Sequence, residues 1–104
     1  MEDQERSGQR RWEPELYRLK GISLFGLNRF DEGQIAFEKA LRMARRQQAK
    51  AYELRAATSL ARLWGEQGRR AEARDLLASV YGWFTEGFDT ADLKDAAMLL
   101  SELA

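Results

Sequence analysis

Arg55 and Arg62 lie seven residues apart, so on a helix they share one face. Two guanidiniums on one face can grip carboxylates through their forked N–H donors. Three other groups of side chains could also do chemistry. The acidic pairs Asp31/Glu32 and Asp89/Asp92 could hold Mg²⁺. Arg42, Arg45 and Arg46 could meet phosphate or nucleic acid. Trp64, Trp83 and Phe84 could build an aromatic ligand pocket. Each of these three has a plainer reading. The acidic pairs fall where helices begin, where carboxylates cap and match the helix dipole. The arginine cluster falls where a helix ends, where cations match it. The aromatics suit packing between helices.

Nucleophile–base chemistry lacks its parts. The chain has no His and no Cys. That removes Ser-His and Cys-His pairs, imidazole acid–base work, thiolate zinc sites and disulfides. No glycine-rich loop leads into Lys-Ser/Thr, and Gly65, Gly68, Gly82 and Gly87 read as turn punctuation. Cyclase chemistry would need two metal-binding carboxylates on a sheet scaffold, and no segment alternates as a strand would. The expectation is a chain that is not an enzyme and binds no cofactor or metal.

The elements that must position these side chains are helices. The 104 residues include one Pro, with 44% hydrophobic and 33% charged residues. Ala, Leu, Arg and Glu dominate, which favours helix in a single small globular domain. Seventeen basic residues balance 17 acidic ones. A nucleic-acid partner is not expected without a basic excess. No apolar run approaches the roughly 20 residues of a membrane span. Residues 1–11 have no apolar signal-peptide core and read as a frayed leader or a cut end, so a cytoplasmic location is expected.

Structure should begin near Pro14, with a first helix running to about Leu27. Asp31 is placed to cap a second helix, whose stripe is Gly33, Phe37, Ala40, Leu41 and Ala44. The stretch Gln47–Lys50 has no Gly or Pro to mark a turn. A third helix covers about Lys50–Gln67 and a fourth about Arg70–Phe84, with Gly82 weakening its last turn. Asp89 or Thr90 caps a fifth, about Ala91–Leu103. Two segments repeat one pattern: FDEGQIAFEKAL (Phe30–Leu41) and RAEARDLLASVY (Arg70–Tyr81). Gly33 aligns with Ala73, Phe37 with Leu77 and Ala40 with Val80, each 40 positions apart. A period of that length marks stacked helical hairpins.

With Gly21, Gly33, Phe37 and Ala40 in one unit and Ala61, Ala73, Leu77 and Val80 in the next, the chain resembles tetratricopeptide repeats. Lys20 stands where Leu is usual, Val80 where Ala is usual, and the period exceeds the family's common length of about 34. The resemblance implies an all-α domain over 12–104: two hairpin units at about 14–47 and 51–86, plus a capping helix at about 90–103, forming an α-solenoid. It also implies that Gly21, Ala61 and Ser101 each face an adjoining helix. The strings WEPELYRLKG and GWFTEGFDTADLK are similar to the C-terminal tails of multidomain bacterial signalling proteins. Those proteins join a class III adenylate/guanylate cyclase and an ATPase module to a repeat array.

By the same resemblance, the first helix of each unit lines a concave face. Arg18, Ile22 and Phe25 would point into it from one unit, and Arg55, Thr58 and Arg62 from the next. The three arginines could make a positive groove for an acidic peptide or C-terminal carboxylate. Alternatively they pair with Glu15, Glu53 or Glu66. The expected function is a non-catalytic protein–protein interaction module, which the resemblance makes the regulatory tail, or a truncated relative, of an adenylate cyclase-type signalling protein. The alternative is a small-ligand sensor within the superhelix. An open apolar face of Leu16, Leu24 and Leu27 on the first helix suggests a homo-oligomer or docking to a related repeat protein.

Overall fold

The computed structural model describes residues 11–87 and 89–104. They form five helices: α1 Glu13–Gly26, α2 Phe30–Arg46, α3 Lys50–Glu66, α4 Arg70–Tyr81 and α5 Ala91–Leu103. No strand occurs among the described residues. The all-α class and the five helices are as expected. All but Arg11 of the expected leader lies outside the described residues.

Local chemistry explains the helix starts. Pro14 sits in the first turn of α1, where its missing N–H has no helical partner to lose. Thr90 caps α5, its hydroxyl accepting from the Leu93 N–H at 3.4 Å. Asp31 does not cap α2. The helix starts at Phe30, one residue before it, so Asp31 and Glu32 lie inside the first turn and act through the dipole. Helix α4 is also shorter than expected. It stops at Tyr81, and Gly82 becomes its C-cap.

The three tight connections share one geometry. Asn28, Gln48 and Gly68 adopt positive φ of 62°, 57° and 81°. In each, the next residue's N–H reaches back to a carbonyl five residues earlier: Arg29 to Leu24 (2.9 Å), Ala49 to Ala44 (2.9 Å) and Arg69 to Trp64 (2.8 Å). This is the Schellman closure of a helix end. It recurs every 20 residues, so each helix begins at a fixed step after the last: Phe30, Lys50, Arg70. The Gln47–Lys50 stretch is thus a sharp turn without a glycine.

Each helix packs on the next in sequence, and α3 also touches both α1 and α5. Helices α2 and α4 have no close backbone approach among the described residues. The molecule measures 47 × 35 × 19 Å, and its short dimension matches about two helix diameters. It is therefore a two-layer slab, with α1, α3 and α5 in one layer and α2 and α4 in the other. One core runs through it, built on Phe37, Leu54, Leu60, Leu63, Leu77 and Val80, all at most 1% exposed.

The α1–α2 crossing is the tightest contact. A Cβ on Gly21 would lie 2.5 Å from the ring of Phe37, which is fully buried. A Cβ on Gly33 would lie 3.3 Å from the Gly21 carbonyl oxygen. Ala61 and Ala73, the matching positions of α3 and α4, are 0% exposed. Ser101 departs from the expectation and is exposed. Its side of α5 has no helix lying on it among the described residues. The expected open face of α1 is present at Leu16 (52% exposed) and Leu27 (65%). Leu24 is partly buried instead, because it packs beside Gly33.

Gly21→Ala should lower the unfolding free energy by about 1–3 kcal/mol in urea titrations, through overpacking against Phe37. Gly26→Ala, which meets nothing within 4 Å, is its neutral-to-stabilising control. At the turns, Gln48→Gly should stabilise by about 1 kcal/mol and Gly68→Ala should destabilise by about as much. The same titrations read both.

Candidate functional site

The layer of α1, α3 and α5 carries a groove of about 390 Å³. Arg18, Ile22 and Phe25 line it from α1, and Phe37 from α2. Arg55, Thr58, Ser59 and Arg62 line it from α3, and Asp92 and Asp95 from α5. All six residues expected on the concave face are here. They meet because α1 and α3 pack side by side, and their exposed turns repeat every three or four residues.

The floor is apolar, made by Ile22, Phe25 and Phe37. Phe25 stacks edge-on against Phe30, with centroids 5.5 Å apart. Thr58 is buried, and its hydroxyl donates to the Leu54 carbonyl at 2.8 Å. That bond uses the hydroxyl within α3.

The rim is charged and internally matched. Arg18 donates to Glu15 through Nε at 3.1 Å and also through Nη2. Its Nη1 reaches the Ser59 hydroxyl at 3.4 Å. Glu15 also pairs with Arg55 at 3.6 Å. Arg55 Nε donates to Asp92 at 2.8 Å, and Arg62 donates to both oxygens of Asp95 at 3.1 Å. Three guanidiniums therefore face three carboxylates, and the rim is a neutral lattice tying α1, α3 and α5 together. The groove arginines do self-pair, but of the three expected carboxylates only Glu15 takes part, and Asp92 and Asp95 supply the rest. Glu15 was an anticipated partner. Glu53 instead pairs with Arg45 of α2 at 2.8 Å while itself 3% exposed.

The electrostatics follow from these contacts. The hydrogen bond from Arg18, reinforced by the charges of Arg18 and Arg55, holds the Glu15 carboxyl below the usual carboxylate range despite partial burial. Asp92, in turn, raises the affinity of Arg55 for its proton.

Asp92, Asp95, Ser59 and Phe37 were not anticipated as lining residues. A signal for Asp95 exists: Glu15, Arg55 and Asp95 stand 40 residues apart, so one repeat position carries alternating charge. The other candidates do not converge. Trp64 and Phe84 pack on the core, while Trp83 is 46% exposed beneath the Lys50 ammonium, 4.6 Å from its ring centroid. Among the described residues, no group of three or more acidic side chains is placed to hold a metal ion. Glu32 is engaged by Arg29, and Asp92 by Arg55. No helix among the described residues is long and apolar enough to cross a membrane. The chain matches no protein-family model, no curated protein and no solved structure.

Glu15 gives the site a pH dependence of known sign. Its folded pKa lies below its unfolded value, so its contribution is full above the ordinary carboxylate range and fades as acid protonates the folded form. Glu15→Gln should melt below wild type at about pH 6, and the gap should narrow steadily as the pH falls below the ordinary carboxylate range. A constant gap across that range would contradict this assignment.

Proposed function

We propose that the chain is a non-catalytic protein-interaction module that captures an acidic peptide segment in the α1–α3–α5 groove. The observation that carries this reading is the convergence of Arg18, Ile22, Phe25, Arg55, Thr58 and Arg62 on one concavity, with an apolar part below a rim whose three arginines are paired with carboxylates. Apolar side chains of the peptide seat on Ile22 and Phe25. Its carboxylates take N–H donors from the arginines. Each guanidinium carries five donors, more than a single carboxylate can accept, so a matched rim still has binding capacity.

The helices in this reading are tetratricopeptide-like hairpins stacked as a short α-solenoid. The likeness to the tails of cyclase–ATPase signalling proteins supports a regulatory role in the cytoplasm. Leu16 and Leu27 on α1 are the contact for a second copy or a related repeat protein.

The test is a fluorescence-anisotropy titration with two labelled peptides. One alternates Glu with Leu and Phe; the other replaces every Glu by Lys. The acidic peptide should bind and the basic one should not. Ile22→Asp, at a side chain already 42% exposed, should weaken binding by about tenfold with helicity unchanged. Equal binding of both peptides, or undiminished binding by the variant, would overturn the proposal.

A further inference from the structure

We infer that α5 is a built-in occupant of the groove's arginine rim, so that an acidic partner enters by taking Arg55 and Arg62 away from Asp92 and Asp95. This rests on the peptide-capture reading above and adds its regulation.

Two separable sets of contacts hold α5. Its apolar side buries Leu93, Ala96, Leu99 and Leu103, each at most 5% exposed. Its first turns send Asp92 to Arg55 and Asp95 to Arg62, across the groove mouth. The apolar set is dry. The charged set is wet: Arg62 and Asp95 side chains are 42% and 55% exposed, and Arg55 and Asp92 38% and 35%. Wet ion pairs are weak and screened by salt. Exchanging one carboxylate for another across such a pair changes little energy, whereas lifting the apolar side of α5 would cost much more. The exchange therefore proceeds with α5 still docked.

The intramolecular carboxylates are tethered, so they act at high effective concentration. They lower the apparent affinity for every acidic ligand and reject weak ones. They also describe the ligand. Asp92 and Asp95 stand three residues apart on a helix whose next turns are apolar, so a helical segment with carboxylates at that spacing fits the same rim.

The probe is a labelled peptide of residues 89–104 of this chain, titrated against the full-length protein. Asp92→Asn/Asp95→Asn in the protein should tighten binding roughly three- to tenfold. Asp95→Asn alone should give part of that gain. A peptide carrying both Asn substitutions should show no gain. Circular dichroism and thermal melting establish that the variants are folded, and should the double variant be unfolded, the single one decides. Binding of equal strength to wild type and variants would overturn the inference and leave peptide capture intact. A gain that persists with the Asn peptide would overturn it as well. Absence of binding to every form would overturn both.

Discussion

The structure depends on how closely α1 lies on α2. With no side chain at Gly21, the ring of Phe37 fills the space against the α1 backbone, and Gly33 admits the facing carbonyl. That approach seats α1 in the same layer as α3. Only then do Arg18, Ile22 and Phe25 share a groove with Arg55 and Arg62. Widening the crossing by one methyl group would displace the groove's α1 wall as well as the core. Packing at interior density leaves no slack to absorb such a shift.

A second constraint is electrostatic. Zero net charge describes the chain as a whole, but the charges are not scattered. They alternate along the layer of α1, α3 and α5, with Glu15 bridging Arg18 and Arg55, and Asp92 and Asp95 closing the far side. The Arg55–Asp92 and Arg62–Asp95 pairs are too exposed to stabilise the fold much by themselves. Their value is geometric. They hold long arginine side chains in set directions over an apolar floor, which lessens the ordering a ligand would otherwise require.

Much of this was legible from residue order. Apolar stripes at helical spacing located all five helices, and the 40-residue recurrence paired Gly33 with Ala73 and Phe37 with Leu77, all buried. The six expected groove residues came from the resemblance to tetratricopeptide repeats, in which the first helix of each unit lines the inner face. Three features were not legible, for physical reasons. Gln48 gives no turn signal, because glutamine rarely takes positive φ; the tertiary pull of two packed helices imposes it. Asp31 has the right chemistry for a cap, but the Schellman closure sets the helix start and leaves it two positions past the cap, Arg29. The pairing of α5 carboxylates with α3 arginines is long-range, and composition cannot tell a solvated Asp from one that crosses a groove.

The three left-handed turn residues are not equivalent. Glycine at 68 adopts this conformation freely, asparagine at 28 tolerates it, and glutamine at 48 is held there against its preference. Backbone tension is therefore greatest at the joint between α2 and α3. On one side of that joint are α1 and α2, and on the other are α3, α4 and α5. The joint also divides the groove, with Arg18, Ile22, Phe25 and Phe37 on one jaw and Arg55, Thr58, Ser59 and Arg62 on the other. The conformation held at residue 48 therefore sets how the two jaws meet, and with it the gape of the cleft.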